Sequence, residues 1–415
     1  MKIRNSVTII VMMCVFSAMV PPANSQPGPG FAAPPPNPPR LAGVAPEAEP
    51  PAQVFAPLEA GSEWTLHKTA DGSHPDANEQ QMMWLMNRAR ANPPQEGFWL
   101  ATTNESDVAG GRDYFNVNVT VLQNEFNGYA AQPPAAFDAR LYEAARLHSE
   151  DLIARDAQDH DGQYQRITAA GFHYQWVRVN VFSYTRTALN GHAAFNIDWG
   201  NGPDGMQDGR GHRMAIMSLD GDCDYTNVGF AAVPENNPDT DVGPLVVSEN
   251  FCEAQTGYAD HYNRFIVGTV WADLDDDGKY DPGEGIGGVR VEPDLGTYFA
   301  VSATAGGYAF PATVEGTYQV TFSGGPLPVP VVKSISVAAE SVLLDLSVDS
   351  DTLPLKGDVN DDGAIDLEDV ILALQAAAGW DTGTLQSGAD VNADGRIGIP
   401  EALFGLQWIA GFRGD

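Results

Sequence analysis

Apolar residues recur at helical spacing in two segments before residue 160, around Met83–Arg90 and Leu141–Leu152. Both are predicted to be amphipathic helices, and the prolines that follow Asn92 disfavour continuation of the first one. His148 falls on the apolar face of the second helix. We therefore expect His148 to be a core histidine with satisfied nitrogens rather than a ligand.

A different pattern begins at Tyr262, where short alternating stretches rich in Val, Thr and Tyr are separated by glycines. Such stretches predict a small Greek-key β-sandwich over residues 262–350. The clearest strands are expected at Phe265–Trp271, Val289–Glu292, Tyr298–Ala303 and Tyr318–Phe322.

The N-terminus has the pattern of a secretory signal. Lys2 and Arg4 precede an apolar run over residues 7–20, and the small residues Ala23 and Ser25 occupy the positions that a signal peptidase recognises. We expect residues 1–25 to be removed and the protein to be secreted, extracellular or attached to the cell surface. The alternative, a membrane anchor, needs a longer apolar run.

Proline dominates the next segment, with 11 of the 31 residues from Pro27 to Pro57. Proline lacks a backbone donor and favours extended conformations, so residues 26–74 are predicted to be a linker. Folded regions are expected at residues 75–261, 262–350 and 351–415, below called the first region, the β region and the C-terminal region.

Charge indicates which kinds of partner this protein binds, and cysteine content indicates whether it has a disulfide. The 415 residues contain 22 Lys and Arg against 55 Asp and Glu, a net charge of −33, which argues against nucleic acid or an anionic membrane as a partner. Many of the acids cluster in short loops, which favours cation binding. Cys223 and Cys252 remain after signal removal and are a candidate disulfide, the alternative being two free buried thiols.

The C-terminal region contains an internal repeat of acidic loops. Oxygen-bearing residues stand at the spacing of a twelve-residue calcium loop, and the pattern recurs 32 residues later (390 − 358) with glycine at the sixth position of both copies. The predicted ligands are Asp358, Asn360, Asp362, Asp366 and Asp369 in the first loop and Asp390, Asn392, Asp394 and Glu401 in the second.

Each loop runs into an apolar helix, and the first begins Gly357-Asp358-Val359-Asn360. Two such loop–helix units resemble a type I dockerin, an α-helical paired EF-hand module. The resemblance implies a cohesin-type partner, contacted through loop positions 10 and 11 and the following helix. Those positions are Leu367-Glu368 and Ile399-Pro400, which differ, so binding in two orientations is not expected. The alternative is an intramolecular clamp.

A third acidic loop lies inside the β region. Its predicted calcium ligands are Asp273, Asp275, Asp277, Asp281 and Glu284. The flanking segments, residues 267–271 and 287–291, resemble those of B-type Greek-key modules of bacterial surface proteins. That resemblance implies a structural ion between strands.

The first region carries several short motifs in a recognisable order. They are Leu85-Met86-Asn87-Arg88-Ala89-Arg90, Ala144-Ala145-Arg146-Leu147-His148-Ser149, His160, Asn180-Val181, Trp199, Gly211-His212-Arg213 and Asn227-Val228-Gly229. This order resembles the CAP superfamily, the SCP-like domains of cysteine-rich secretory, antigen 5 and pathogenesis-related proteins, with an insertion near residues 101–132. The resemblance implies a three-layer α-β-α sandwich with a surface cleft.

In that family two histidines face the cleft, and by motif they correspond to His160 and His212. Zinc at this pair is an expectation from the resemblance, although a useful site needs a third ligand. The family's Gly-Glu-Asn is Arg178-Val179-Asn180 here, so valine replaces one cleft acid. Asp198 and Asp208 are the nearest candidates for the second.

Three functions are compatible with these patterns. The first is a calcium-dependent extracellular binding protein, attached to a cohesin-type partner. The second is a hydrolase acting on peptides or polysaccharides, and the third is a structural envelope protein. Loss of the family glutamate at Val179 favours binding over catalysis, because general acid–base chemistry needs a positioned titratable group.

Overall fold

The computed structural model describes residues 31–44, 61–392 and 396–412. The expected signal peptide and the expected ligand Asp394 lie outside these ranges. The described residues form a multi-domain, mixed α/β chain with three sheets and ten α-helices.

The α-helices, in chain order, are α1 Ala77–Ala91, α2 Pro93–Thr102, α3 Ser106–Tyr114, α4 Val119–Asn127, α5 Ala139–Arg155, α6 Gln163–Ala169, α7 Ala188–Ala193, α8 Gly211–Ile216, α9 Leu367–Ala377 and α10 Ile399–Ile409. The strands are β1 Leu41–Ala42, β2 Ser62–Glu63, β3 Ala136–Phe137, β4 Tyr174–Thr185, β5 Asn227–Pro234, β6 Leu245–Ala254, β7 Phe265–Ala272, β8 Arg290–Pro293, β9 Tyr298–Val301, β10 Gly307–Pro311, β11 Gly316–Ser323, β12 Val331–Val337, β13 Val342–Leu343 and β14 Leu346–Val348.

The first region is built on one five-stranded sheet in the order β1-β4-β6-β5-β3. α5 and α6 cover one face, and α1, α7 and α8 pack on the other. Alternate residues of β4 therefore point to different layers, and both layers exclude water from the sheet. Gly229 lets α5 approach closely, because a Cβ at that position would lie 2.1 Å from the backbone of Tyr142.

The two helices predicted from apolar spacing are present as α1 and α5. Asp76 begins α1 with a capping box in which its side chain accepts from the Glu79 amide and Glu79 accepts from the Asp76 amide. His148 on α5 is fully buried, with Nε2 bonded to the Asp159 carbonyl at 3.0 Å and Nδ1 near the Arg166 guanidinium. The prediction of a satisfied core histidine is confirmed. Residues 101–132, which were expected to be an insertion, contain α3 and α4.

The β region has two sheets that enclose one apolar core. One sheet joins β10, β7 and β13, with β14 also paired to β7, and the other runs β12-β11-β8-β9-β2. The core is larger than the sequence predicts, because β2 lies before α1 in the chain and pairs with β9. Trp64, which follows β2, is buried in the same core and packs edge-on against Tyr262 and Tyr298.

The C-terminal region is much smaller. α9 and α10 pack together where Gly405 lets them approach, since a Cβ there would lie 2.8 Å from the Val370 side chain. The buried apolar cluster comprises Val359, Val370, Ala373, Ala389 and Ala402. So small a core stabilises a fold weakly.

The proline-rich segment differs from the predicted spacer over its described part. Residues 31–44 lie along the first region, and β1 within them pairs antiparallel with β4 and forms one edge of the sheet. Composition indicated an extended chain, which is what the segment forms. It could not indicate that the first region supplies hydrogen-bond donors along the path of that chain.

The candidate disulfide is absent, and this prediction was wrong. Cys223 and Cys252 are both buried and free. Cys252 points from β6 into the cluster under α5, whereas Cys223 packs on the cluster of the opposite layer. The sheet separates the two thiols, and burial raises the pKa of each of them.

Within the described ranges, no helix combines the length and the apolar character needed to cross a bilayer.

Candidate functional site

Two histidines far apart in sequence meet at one end of the first-region sheet. His160 lies in the turn between α5 and α6, and His212 is the second residue of α8. His212 is fully buried. The imidazoles are close enough for the charge of His212 to contribute to lowering the pKa of His160, which burial mainly brings to about 4. His160 is therefore neutral at physiological pH.

Neighbouring groups fix the same tautomer in both rings. The His160 Nδ1–H donates to Gln163 Oε1 at 2.9 Å, because the amide nitrogen of Gln163 is itself directed at backbone carbonyls. The His212 Nδ1–H donates to Asp198 Oδ1 at 2.8 Å. In a neutral ring with its proton on Nδ1, Nε2 carries a lone pair, which is the form in which histidine binds metals.

Neither Nε2 has a hydrogen-bond partner among the described residues, although both atoms are buried. A buried acceptor without a donor is costly, and native folds contain few of them unless a water, an ion or a ligand serves the group. A donor set of two imidazoles suits Zn²⁺ or another divalent metal of similar character. His160 and His212 are thus the residues that would hold such an ion.

A buried acid that the sequence analysis missed lies next to this pair. Glu249 on β6 stands opposite Asn180 on β4, and Asn180 Nδ2 donates to Glu249 Oε2 at 2.9 Å and to the His212 carbonyl at 3.5 Å. Burial raises the pKa of Glu249 to about 8. One signal was available: Glu249 is an ionisable residue that stands between two apolar runs of one strand, Leu245–Val247 and Phe251–Cys252.

The expectations for Val179, Asp198 and Asp208 have different outcomes. Val179 is fully buried in the cluster between the sheet and α5. Since neighbouring strand residues alternate between faces, Asn180 rather than Val179 faces the histidines. Asp198 contacts His212 through both oxygens, also accepting from its backbone amide at 3.0 Å. Asp208 is exposed and does not share this contact.

Asp198 is held in position by unusual backbone geometry. It ends a π-helical turn, Ala194–Asp198, that continues α7, and its φ is +58°. Both features are sparsely populated in proteins and concentrate at functional sites. Sequence spacing alone does not indicate either feature.

The proline-rich segment 31–44 passes over this end of the sheet. The Asn37 side chain donates to the Val179 carbonyl at 2.7 Å and to Asn180 Oδ1 at 2.6 Å. Gly211, the residue before His212, leaves room for it, because a Cβ there would lie 2.6 Å from Asn37 Cβ. We call the site around His160, His212 and Glu249 the cleft, and residues 31–44 the cover segment.

The three acidic loops share one hydrogen-bond pattern. In each, the carboxylate at position 12 accepts from the backbone amides of positions 2 and 9. The acceptors are Asp369, bonded to Val359 and Asp366; Glu284, bonded to Leu274 and Asp281; and Glu401, bonded to Val391 and Gly398. This pattern closes each loop around its other oxygens.

The first position is equally consistent. Asp358 accepts from the Asp362 and Gly363 amides, and Asp273 accepts from Asp277 and Gly278 in the same way. Gly363 and Gly278 have φ values of +84° and +75°, as the sixth position of a calcium loop requires. Carboxylate oxygens of Asp273, Asp275 and Asp277 lie within 4.8 Å of one another.

Two carboxylates of the first C-terminal loop are almost fully buried, Asp358 at 2% and Asp369 at 1% exposure. The hydrogen bonds described for them come from backbone amides. Two buried negative charges in one loop are costly without a counter-ion. The arrangement offers hard oxygen ligands, which suit Ca²⁺.

The loop of the β region is also attached to the first region. Gln81 on α1 donates to Asp281 Oδ1 at 2.6 Å, and Gln80 donates to Thr269 Oγ1 at 2.9 Å. Burial, followed by the neighbouring carboxylates, raises the pKa of Asp281. An ion in this loop would therefore be held at the boundary between two regions.

α9 and α10 expose matching apolar faces. Residues at equivalent repeat positions have nearly equal exposed fractions: Leu367 58% and Ile399 60%, Ile371 52% and Leu403 54%, Leu374 44% and Leu406 47%. Exposed aliphatic residues are common singly, but a contiguous set indicates an interaction surface. The expected positions 10, Leu367 and Ile399, belong to these faces.

Two further features concern α1. His74, Asp76 and Glu79 form a compact group, but their contacts are those of the α1 capping box together with a His74–Glu79 bond of 2.7 Å. A cavity of about 270 Å³ lies between α1 and the β region, lined in part by Trp84, Tyr308 and Asp345. Burial raises the pKa of Asp345 to about 6.

No protein-family model matches the chain, and no curated protein matches it. Two solved structures are similar over part of it, both type II cohesin–X–dockerin complexes from Acetivibrio cellulolyticus, a C-terminal and an N-terminal interface mutant. Each is 21% identical and covers 35% of this chain and 94% of the solved chain, with TM-scores of 0.19 and 0.18. The likeness is weak and carries no argument about the fold.

Proposed function

We propose that this protein is a secreted, calcium-dependent modular binding protein. Its C-terminal region, of dockerin type, attaches it to a cohesin-type partner, and its first region, of CAP type, binds an extracellular ligand at the cleft. The observation that carries the proposal is the pair of matched apolar faces on α9 and α10, each following a loop with the hydrogen-bond pattern of a calcium site.

Calcium connects the loops to these faces. In each C-terminal loop the carboxylate at position 1 lies before the helix, and the carboxylate at position 12 lies in the first turn of the helix. An ion that neutralises both therefore fixes where the helix starts. We propose that all three loops bind Ca²⁺, the two C-terminal ones to order the docking surface and the third to stabilise the β region.

Docking can be tested on the full chain with a panel of cohesin domains, in Ca²⁺ and in EDTA. We expect binding in Ca²⁺ only, and strong loss in a variant with Leu367→Asp, Ile371→Asp, Ile399→Asp and Leu403→Asp. Val329→Asp, at an equally exposed valine of the β region, is the matched control. Binding that survives the fourfold variant would contradict the proposed surface.

The same substitutions made on one helix at a time test the expectation of a single orientation. Loop positions 11 differ, with Glu368 in one repeat and Pro400 in the other, although the aliphatic faces are alike. In a single orientation, one helix's variant loses binding far more than the other's. Equal, partial losses of binding in the two variants would show that either helix can contact the partner.

For the first region we propose divalent metal binding at His160 and His212, supported by their two unpartnered Nε2 atoms. A bound metal would supply a Lewis acid at the cleft. Titration of the parent and of His160→Ala with Zn²⁺ or Co²⁺ tests metal binding at this pair. His148→Ala is a poor control variant because it disturbs the core. His173→Ala, at a half-buried histidine away from the pair, is the better one.

A second candidate function, hydrolysis, is favoured by Glu249. A carboxylic acid protonated at neutral pH can donate a proton, so the cleft retains a titratable group despite Val179. Turnover of a peptide or polysaccharide library, lost in both His160→Ala and Glu249→Gln, would favour the hydrolase over the binding protein.

A further inference from the structure

The cover segment and the cleft are chemically complementary. Residues 31–40 contain five prolines, at 34–36, 38 and 39, so this stretch offers carbonyl acceptors and few amide donors. The first region supplies side-chain donors to four of those carbonyls. They are Trp199 Nε1 to Ala32 at 3.1 Å, Gln158 Nε2 to Ala33 at 3.1 Å, Gln207 Nε2 to Pro34 at 2.9 Å and the Tyr164 hydroxyl to Pro39 at 3.1 Å.

Those donors come from both sides of the cleft. Gln158 lies two residues before His160, and Gln207 lies five residues before His212. The chain between Ala33 and Asn37 therefore runs between the two histidine-bearing segments, and Pro34 is buried there.

Aromatic and charged contacts anchor the two ends. Phe31 packs on Trp199 and Tyr114, with the Arg186 guanidinium 3.9 Å from the centre of its ring. Arg40 lies 4.0 Å above the ring of Trp176 and forms a two-bond ion pair with Asp222. Aromatic residues and side-chain donors aimed at carbonyls are how grooves bind proline-rich chains, which lose little entropy on binding.

We propose that the cleft is a binding groove for an extended, proline-rich polypeptide, and that the cover segment is its intramolecular occupant. The segment thereby restricts access to His160, His212 and Glu249, and an outside ligand of the same class binds only when the segment leaves. This inference rests on the proposed function in that it concerns the ligand and regulation of the same cleft.

The test uses the full chain and a variant lacking only residues 31–44. Diethyl pyrocarbonate labels accessible imidazoles, and mass spectrometry measures each histidine separately. We expect labelling of His212 to rise at least ~10-fold in the deletion variant, because the cover no longer has to open first. His148, buried in α5, reports unfolding and is expected to stay unlabelled. Equal labelling of His212 in both chains overturns the proposal.

A full-length variant decides the question if the deletion also exposes His148. Asn37→Ala with Arg40→Glu removes the contact to Asn180 and sets two acids, at positions 40 and 222, against each other. His212 labelling is expected to rise in it with His148 unchanged, and no rise overturns the proposal. Val44→Ala, at a 90% exposed residue of the same segment, is the matched control.

The ligand class is tested by adding the peptide of residues 31–44 to the deletion variant. We expect it to restore protection of His212, whereas the same peptide with its five prolines replaced by alanine does not. Equal protection by both peptides, or by neither, overturns the assigned ligand class. Zn²⁺ binding, measured separately in the deletion variant, distinguishes failure of the metal proposal from failure of this one.

Discussion

The histidine pair of the first region and the acidic loops differ in how the chain assembles them. His160 and His212 are 52 residues apart (212 − 160), and the fold brings their imidazoles near enough for His212 to influence the pKa of His160. Each acidic loop collects its oxygens from twelve consecutive residues. The fold of the first region therefore creates the cleft. In the C-terminal region the dependence is reversed, because ion binding to the loops is expected to stabilise a fold that has little core of its own.

The acidic loops also differ from one another in their surroundings. The loop at 273–284 adjoins a two-sheet core and is bonded to α1 through Gln81. The loops at 358–369 and 390–401 adjoin a cluster of five buried residues. The same loop chemistry is thus expected to be accessory in one region and essential in the other.

The largest expected effect is that of chelation on the C-terminal region. Excess EDTA should unfold α9 and α10, because the empty loops leave Asp358 and Asp369 as uncompensated buried charges. Hydrogen exchange on the full chain should show protection lost over 357–410 and kept in α5 and β4–β6. Protection retained in α9 and α10 would contradict the expectation that the C-terminal region, unlike the first region, needs the ion in order to fold.

The next largest effect is the pH dependence of stability that Glu249 gives the first region, which contains the cleft. Its folded pKa of about 8 lies above the ordinary carboxyl value, so the folded state binds more protons than the unfolded state. Its contribution to stability is therefore present at low pH and is lost as pH rises through 8. From about pH 5.5 to about pH 8.5 the loss should be on the order of 3 kcal/mol.

Glu249→Gln should remove this dependence, since the amide stays neutral. Denaturant unfolding of the first region, followed at both pH values in EDTA, measures it. Glu150→Gln, at an exposed glutamate of α5, should keep the parent's profile. A parent whose stability does not fall between the two pH values would contradict the protonated state of Glu249.

Substituting the acid at loop position 12 compares the regions directly. Glu284→Ala removes the acceptor of two backbone amides and should cost about 2 kcal/mol, lowering the melting temperature of the β region by about 8–16 °C in Ca²⁺. Glu401→Ala removes the same two bonds beside a small core and should unfold α10.

Partner binding separates the two variants further. It should survive Glu284→Ala and be lost in Glu401→Ala. Glu340→Ala, at an exposed acid of the β region, is the control for calorimetry. Equal losses of stability in the two variants would show that core size does not determine dependence on the loop.

The smallest effect tests the attachment of the β-region loop to α1. Gln81→Ala removes the bond to Asp281 and should lower the stability of the β region in Ca²⁺ by about 1 kcal/mol. Calorimetry should show no such change for Gln95→Ala, an exposed glutamine of α2. An unchanged melting temperature for Gln81→Ala would make the loop independent of the first region.

The sequence was sufficient wherever a feature depends on residues close in the chain. Spacing located the helices α1 and α5, the strands around Phe265 and Tyr318, and the apolar helices after the two C-terminal loops. It also placed His148 in the core. A helix period or a loop of twelve residues is set by local backbone geometry, which composition and order record directly.

Only the tertiary structure decided the features that depend on register and on contacts across the chain. Strand register turned Val179 toward α5 and set Glu249 beside Asn180, and the intervening sheet kept Cys223 from Cys252. The sequence predicted a spacer at the cover segment because proline content indicates that a chain is extended. Proline content does not indicate which surface the chain lies on. That surface is made of Trp199, Gln158, Gln207 and Tyr164, which become neighbours only when the strands and helices that carry them have packed.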